Sequence, residues 1–141
     1  MGVLTIGRYC DADREPVIAL WHRCGLIRSW NDPDKDIARK LAVQPEFFLV
    51  GRVGDVLAAT AMAGYDGHRG WLNYLAVSPD FRHRGFGRRL VAEVERLLTA
   101  SGCPKLSLQI RSSNREVMAF YRALGYVEDE VVCMGRRLIP D

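Results

Sequence analysis

The chain has 141 residues, of which 48% are hydrophobic and 26% charged, and its formal net charge is +3. These proportions exclude disordered, collagen-like and low-complexity classes and predict one folded domain, residues 1–141. No apolar run reaches the roughly 18 residues that a membrane helix needs, and the first residues lack a basic start followed by an apolar stretch, so we expect a cytoplasmic protein without membrane contact.

A strand at Leu4–Tyr9 is expected to lead into a first helix. Asp11 or Asp13 is placed to cap that helix, and Gly25 is placed to end it. A second, shorter helix is expected to begin at Asp32-Pro33, because proline suits the first helical position. The apolar stripes are Val17, Leu20, Trp21 and Cys24 in the first helix, and Ile37 and Leu41 in the second.

Two strands are predicted at Phe47–Val53 and Val56–Tyr65, because Gly54-Asp55 between them suits a tight hairpin turn. Residues 66–70 predict a second reversal, which leads into a strand at Trp71–Val77. The period of two places one set of side chains of this strand on the same face: Trp71, Asn73, Leu75 and Val77.

The period changes to that of a helix after Pro79. The spacing of the apolar residues predicts a long amphipathic helix that begins near Gly87 and that Gly102 and Pro104 end. Its apolar positions are Leu90, Val91, Val94, Leu97 and Leu98.

A strand at Lys105–Ile110 is expected next, followed by a helix that the capping box Ser113-Asn114-Arg115-Glu116 opens and Gly125 ends. Tyr126–Leu138 is predicted to close the chain as one or two strands. The resulting order, β-α-α-β-β-β-α-β-α-β, predicts a mixed α/β sheet. The apolar face of the last helix is Val117, Phe120, Tyr121 and Leu124.

Four cysteines, at positions 10, 24, 103 and 133, include no Cys-x-x-Cys pair. Their spacing therefore predicts neither a zinc site nor a redox motif, and a cytoplasmic chain keeps them reduced. We expect them to act as small buried hydrophobic side chains, and we expect no metal cofactor.

The stretch from Leu75 to Gly87 has the features of an anion site. An apolar strand runs into a basic turn that opens a helix, where unpaired amides and the helix dipole attract negative charge. Gly85 and Gly87 permit positive φ and let the backbone approach a ligand closely. Four arginines within eight residues add charge-assisted hydrogen bonds to phosphate oxygens: Arg82, Arg84, Arg88 and Arg89.

Positive charge concentrates between Ser78 and Arg122, where nine Lys/Arg stand against four Asp/Glu. Such a local cluster on a nearly neutral chain favours a small polyanionic ligand over a long nucleic-acid backbone. The segment matches neither the P-loop G-x-x-x-x-G-K-[ST] nor the dinucleotide fingerprint G-x-G-x-x-G.

Arg82-x-x-Gly85-x-Gly87 resembles the acetyl-CoA loop of the GNAT family of N-acetyltransferases, whose motif is Q/R-x-x-G-x-G/A. Asn114, Phe120-Tyr121 and Leu124-Gly125-Tyr126 are similar to a later element of that family, N-x-x-A-x-x-x-Y-x-x-x-G-F/Y. The resemblance covers nearly all the chain, because the order of elements also matches.

Two further segments, Trp30-Asn31-Asp32-Pro33 and Gly64–Gly70, resemble the small bacterial YpeA-like branch of the same family. The resemblance implies a mixed, mostly antiparallel central sheet with flanking helices and a V-shaped splay between the fourth and fifth strands. A homodimer is compatible with this resemblance.

The resemblance also implies a role for each matching residue. Leu75 and Val77 would pair through their backbones with the pantetheine arm of acetyl-CoA, the Leu75 amide would polarise the thioester carbonyl, and Tyr121 would act as general acid. The remaining cofactor-binding residues implied are Ala76, Arg82, His83, Arg84, Gly85, Phe86, Gly87, Arg88 and Asn114. The substrate-side candidates are Asn31, Asp32, Tyr65, Asp66, His68 and Asn73.

Several of these residues also have a purely structural interpretation. Asn114 suits a helix cap, Tyr121 suits core packing, and Asp66 and His68 suit a turn. The positions where many relatives place a glutamate base hold Gln109 and roughly Trp71 here, so proton removal would pass through water to Asp32, Tyr65, Asp66 or His68, or the amine would bind already neutral.

Two functions of different class follow. The first is an acetyl-CoA-dependent N-acetyltransferase whose acceptor is a small-molecule amine or the α-amine of a protein N-terminus. The second is a non-catalytic acyl-CoA-binding regulatory module of the same fold, which Gln109 favours. Neither the acceptor nor the preferred acyl chain follows from the sequence.

Overall fold

A computed structural model describes residues 2–141 of the protein. Its strands are β1 (Leu4–Arg8), β2 (Phe48–Val53), β3 (Val56–Tyr65), β4 (Gly70–Val77) and β5 (Leu106–Leu108). Its α-helices are α1 (Arg14–Arg23), α2 (Pro33–Ala42), α3 (Phe86–Ala100) and α4 (Arg115–Ala123). None of the helices in the described residues is both long and apolar enough to span a membrane.

The five strands form one sheet in sequence order, β1 to β5. Neighbours from β1 to β4 are antiparallel, whereas β4 and β5 are parallel and pair only over Gly70–Leu72 and Leu106–Leu108. The second half of β4 therefore has no strand beside it on that side. This opening confirms the predicted mixed sheet with a splay between its fourth and fifth strands.

Apolar cores lie on both faces of the sheet. On the face that α3 and α4 cover, Leu90 and Val94 of α3 share a core with Leu72 of β4. On the face that α1 and α2 cover, Trp21 and Ile37 share a core with Phe48 of β2. Because both faces are covered, β3 is buried along most of its length, and its centre consists of the small residues 58–63 with Met62 as the largest.

The predicted helix starts differ in how they are capped. Asp32 caps α2 as expected, since its carboxylate accepts hydrogen bonds from the amides of Asp34 and Lys35. The last helix is capped by Asn114 and not by Ser113, so the predicted capping box is wrong by one residue. The Asn114 carboxamide oxygen, 3.2 Å from the Val117 amide, is the acceptor.

The prediction of strands at Tyr126–Leu138 is wrong. No strand forms after β5, and the apolar side chains of the segment, Val127, Val131, Val132, Met134 and Leu138, are 76–90% exposed. The apolar run at residues 131–134, with two β-branched valines, suits a strand. The segment, however, finds neither a ladder partner nor a core to pack on. Two of the four cysteines, Cys10 and Cys133, are likewise exposed, contrary to the expectation of burial.

Asp13 precedes α1, and its carboxylate makes contacts with two neighbouring segments. It accepts a hydrogen bond from the Cys10 amide at 3.0 Å and forms an ion pair with Arg52 of β2. Burial raises the pKa of the Asp13 carboxyl, and the hydrogen bonds from Arg52 and Cys10 lower it. The hydrogen bonds together have the larger effect, so the pKa lies below its usual value.

We expect Asp13→Asn to lower the free energy of unfolding at pH 7 by about 1.5–3 kcal/mol, the usual contribution of hydrogen bonds to a charged group. A lowered folded-state pKa means that the carboxylate stabilises the fold above its unfolded pKa of about 3.9 and loses this contribution as the pH falls through the folded value. In urea unfolding, the gap between wild type and variant should therefore shrink from pH 7 to pH 3. A gap of constant size would contradict this account.

Candidate functional site

The opening between β4 and β5 begins where their pairing ends, at Leu72 and Leu108. Backbone groups of successive strand residues point alternately to the two sides. At the start of β4, the Gly70 amide donates to Lys105 O on the β5 side. After its end, the Ser78 amide donates to Ala58 O on the β3 side. The N–H groups of even-numbered residues therefore point toward β5 at the start of the strand and toward β3 at its end.

A β-bulge at Tyr74 causes this change. Met62 of β3 faces Asn73 and Thr60 faces Ala76, so one β3 residue opposes two of β4, and Tyr74 has a φ of 51°. Beyond the bulge, the N–H groups of Leu75 and Val77 point away from β3, into the opening. A strand edge with unpaired groups can pair with an extended ligand as an added strand would.

The bulge also corrects the predicted face of β4. Trp71 and Asn73 lie on one face, whereas Leu75 and Val77 pack on the other, in the core under α3 and α4. The expectation that all four share a face is wrong, because the extra residue inverts the alternation between Asn73 and Leu75.

The loop from Ser78 to Gly85 connects β4 to α3 and leaves the backbone amides at the N-terminus of the helix without a side-chain cap. Ser78 is buried, and its hydroxyl accepts a hydrogen bond from the Asp80 amide at 3.3 Å. His83 and Gly85 both adopt positive φ, 63° and 78°, and Gly85 is the residue before the first turn of α3. This conformation turns successive amides toward the same side, as in an anion-binding nest.

The amides of residues 83–88 have no acceptor among the described residues; the Arg89 amide is the first to bond, to Gly85 O at 3.1 Å. Helix α3 is 15 residues long and begins without a side-chain cap. A helix dipole and accessible amides of this kind are the features that attract an anion such as a diphosphate.

The four arginines of this segment do not all face the loop. The Arg82 Nε lies 3.3 Å from Val77 O, and the Arg84 guanidinium lies 5.3 Å from the centre of the Phe81 ring. Arg89 instead donates to Leu4 O at 2.9 Å and ties α3 to β1. Arg82, Arg84 and Arg88 are therefore exposed in or beside the loop, whereas Arg89 connects α3 to β1.

Gly87 lies where α3 meets α4. A Cβ atom there would be 3.1 Å from Cζ of Phe120 and 3.7 Å from a methyl group of Val77. The lack of a side chain at Gly87 therefore permits close packing of the two helices. The expectation from the sequence is instead that it serves the close approach of a ligand. A Cβ at Gly85, by contrast, would meet nothing within 4 Å.

Tyr121 of α4 is buried, and its ring makes edge-on contacts with Phe120 and Tyr126. Burial raises the pKa of its phenol well above the usual value, so the hydroxyl stays protonated at neutral pH. The side chain also lines a groove of about 1040 Å³ that β5, α4 and residues 126–133 enclose. No hydrogen-bond partner for the hydroxyl lies among residues 2–141.

Gln109 directly follows β5, and its carboxamide donates to the thiol of Cys133. The carboxamide has no proton-accepting group of useful basicity, as the sequence indicates. Asn114 immediately precedes α4 and caps it, since its side-chain oxygen accepts a hydrogen bond from the Val117 amide.

Apart from Asn73, which is exposed on β4, the substrate-side candidates separate into two groups. Tyr65, Asp66 and His68 lie at the β3–β4 turn, where Asp66 accepts hydrogen bonds from the amides of His68 and Arg69. These bonds, the one from Arg69 most strongly, lower the pKa of the Asp66 carboxyl. The turn is about 16 Å from Leu75, at the usual rise per strand residue.

The second group, Asn31 and Asp32, lies at the start of α2 on the other side of the sheet from α3. Asn31 is beside the hydroxyl of Tyr74, which donates to Asp36 at 2.6 Å. Two residues near this group, Asp36 and Tyr74, are not among the site residues that the sequence predicts. A tyrosine at positive φ has no local signal in the sequence, because its conformation depends on tertiary contacts.

The protein is similar to known acetyltransferases over nearly its full length. A curated acetyltransferase of Yersinia enterocolitica is 48% identical over 138 residues, which cover 98% of each chain. Among solved structures, aminoglycoside N-acetyltransferase AAC(6')-Iy in complex with a bisubstrate analogue superposes with a TM-score of 0.78 at 23% identity, covering 97% of this chain and 99% of that one.

The ribosomal-protein-S18-alanine N-acetyltransferase of Escherichia coli superposes with a TM-score of 0.74 at 25% identity, over 90% of this chain and 79% of that one. The model of the family described as "Acetyltransferase (GNAT) family" matches residues 14–126. From the match of the family model and the identity to the Yersinia enterocolitica protein, we conclude that the chain belongs to the GNAT family of acetyltransferases.

Proposed function

We propose that the protein transfers the acetyl group of acetyl-CoA to a primary amine, by direct attack of the amine in a ternary complex. The observation that supports this most is the junction of two backbone features. The unpaired edge of β4 leads directly into the loop whose free amides precede α3. An acyl-CoA has matching parts, an extended pantetheine arm followed by a diphosphate.

The donor would lie along β4, with the pantetheine arm pairing with backbone groups of Leu75 and with the Val77 N–H. Ala76 faces β3, and the Val77 carbonyl already accepts hydrogen bonds from Arg82 and Cys24. The diphosphate would bind the amides of residues 82–88, with Arg82 and Arg84 supplying positive charge nearby. Asn114 would use its carboxamide N–H groups toward the pantetheine, because its oxygen already caps α4. The AAC(6')-Iy structures, which share this fold, contain a CoA-derived bisubstrate analogue and CoA itself.

Two groups of the chain would act on the reacting atoms. The Leu75 N–H would donate to the thioester oxygen and stabilise the negative charge that forms on it when the amine attacks. Collapse of the tetrahedral intermediate breaks the C–S bond, and the Tyr121 hydroxyl would donate its proton to the departing sulfur.

The acceptor amine must lose a proton in the same reaction. Lysine-like amines have a pKa of about 10.4, so a base or a neutral binding mode is required. Asp66 is a poor candidate because the pKa of its carboxyl is lowered and it lies at the far turn. We infer that the proton leaves through water near the start of α2, where Asp32 lies.

The acceptor class is a primary amine, either of a small molecule or of a protein N-terminus. The structural neighbours named above act on an aminoglycoside and on a protein alanine, respectively. Each acceptor carries a primary amine, and the fold thus accommodates both sizes.

The decisive experiment incubates the protein with acetyl-CoA and a panel of amines and follows the release of free CoA thiol. The panel contains amino acids, polyamines, aminoglycosides and short peptides with free N-termini. Acceptor-dependent thiol release is expected. Thermal stabilisation by acetyl-CoA without release for any amine would instead support the non-catalytic binding module, the alternative that Gln109 favours.

Gln109→Glu is expected to raise kcat/KM at neutral pH by roughly tenfold for an amine that is protonated there. The carboxylate, unlike the carboxamide, would accept the proton through one water, and general base catalysis contributes at least this much. Initial rates across pH 6–9 measure the effect, with Gln109→Met as the control that lacks both groups. A tenfold loss with unchanged acetyl-CoA affinity would show that the carboxamide itself has a role.

A further inference from the structure

Tyr74 has a backbone conformation that a bulky residue rarely adopts. Its φ of 51° places it in the left-handed region, in the middle of a strand. Such a residue persists only where its surroundings determine its conformation, and residues of this kind cluster at functional sites. The contacts that fix Tyr74 are therefore of interest for the site that the bulge forms.

A buried chain of hydrogen bonds holds the bulge. The indole N–H of Trp21 donates to the Thr60 hydroxyl oxygen at 2.9 Å, and the Thr60 hydroxyl donates to the carbonyl oxygen of Tyr74 at 2.9 Å. Trp21 and Thr60 are both 0% exposed. The Thr60 side chain thus supplies the partner that a regular β3–β4 ladder would give the Tyr74 carbonyl.

The Tyr74 side chain is held at its other end as well. Its ring stacks on the indole of Trp21, with ring centres 3.8 Å apart and planes inclined by 15°. Its hydroxyl donates to Asp36 of α2 at 2.6 Å. Trp21, Thr60 and Tyr74 form a closed set, in which each member contacts the other two.

This set lies on the face of the sheet away from α3 and α4, whereas Leu75 packs on the opposite face. The Tyr74 carbonyl carbon is bonded to the Leu75 nitrogen in one planar peptide unit. The hydrogen bond from Thr60 to that carbonyl therefore fixes the plane of the peptide and with it the direction of the Leu75 N–H.

We propose that Thr60 is a positioning residue of the acetyl transfer: its hydroxyl, oriented by Trp21, aims the Leu75 N–H at the thioester oxygen. The proposal rests on the proposed function, which assigns the Leu75 amide to that oxygen. Thr60 touches neither substrate, and its effect passes through the Tyr74–Leu75 peptide.

Thr60→Val keeps the shape of the side chain and removes the hydroxyl. We expect kcat to fall by about tenfold or more, while the dissociation constant of acetyl-CoA and the KM of the amine change less than about threefold. The range corresponds to partial loss of one donor to a developing oxyanion. Thr60→Ser keeps the hydroxyl and should recover kcat to within about threefold of wild type.

A purely structural Thr60 would give a different result. Thr60→Val would then lower the melting temperature but leave kcat per folded molecule unchanged, or Thr60→Ser would be as impaired as Thr60→Val. Either outcome overturns the proposal. Should Thr60→Val fail to fold, Thr60→Cys tests the same bond, because a thiol is close to the hydroxyl in position but is a weak donor to the Tyr74 carbonyl: a several-fold fall in kcat supports the proposal, and a wild-type kcat overturns it.

Amide resonances separate failure of this proposal from failure of the proposed function. In nitrogen-15-labelled wild type, acetyl-CoA should shift the Leu75 amide proton downfield relative to CoA, which lacks the acetyl carbonyl. Absence of that difference in wild type would refute the role of Leu75 itself. Its presence in wild type and equally in Thr60→Val would leave that role intact and refute the positioning role of Thr60.

Discussion

Tyr121→Phe is expected to lower kcat by at least tenfold, and by up to about 10⁴-fold if proton donation to sulfur is fully lost. The substitution removes the hydroxyl and keeps the ring, whose edge-on contacts with Phe120 and Tyr126 hold it in the core. The melting temperature and the acetyl-CoA affinity should therefore change little. Single-turnover rates of thiol release measure the chemical step directly.

Tyr126→Phe is the matched control for this variant. Tyr126 is the neighbouring phenol, its pKa is also raised by burial, and its hydroxyl donates to Glu95 at 2.6 Å. It has no assigned part in the reaction, so kcat should stay near the wild-type value. Wild-type turnover in Tyr121→Phe, measured where chemistry limits the rate, would show that Tyr121 only packs the core.

Gly85→Asp is expected to weaken acetyl-CoA binding by about 100-fold, whereas Gly85→Asn weakens it less than about tenfold. Both residues tolerate positive φ better than other side chains do, and the space around a Cβ at Gly85 is open. The two variants therefore share size and backbone cost and differ in one negative charge. Two like charges about 4 Å apart repel by about 4 kcal/mol at an effective dielectric constant of 20.

Calorimetric titration with acetyl-CoA at two salt concentrations gives both affinities. The difference between Gly85→Asp and Gly85→Asn should shrink as salt screens the repulsion. Equal affinities of the two variants would mean that no anionic group of the ligand lies near this loop, and the proposed diphosphate site would have to be abandoned.

Most helices and strands could be predicted because their signals are local. The hairpin at Gly54-Asp55, the proline start of α2 and the apolar stripe of α3 each follow from neighbouring residues. The segment after Tyr126 has the same kind of local signal, yet it forms no strand, because a strand also needs a partner that the sequence cannot name.

The candidate site likewise has one part that neighbouring residues predict and one part that they do not. The glycines and arginines around α3 have a spacing that indicates an anion site, since that chemistry uses consecutive residues. The bulge could not be predicted, because it depends on Trp21 and Thr60, which are 39 residues apart. The inverted alternation at Tyr74 and the role proposed for Thr60 are for that reason visible only in three dimensions.

The free edge of β4 and the free amides before α3 have a consequence for how the protein could diversify. If the donor is held chiefly by main-chain groups, most side-chain replacements in that region leave the donor contacts in place. The proposed acceptor side, near Asn31 and Asp32, would present side chains instead, so mutation there could change the acceptor while Asp36, which bonds the Tyr74 hydroxyl, is kept. A mutant library aimed at new amine acceptors should therefore randomise this side and keep the backbone-determining residues His83, Gly85 and Tyr74 fixed.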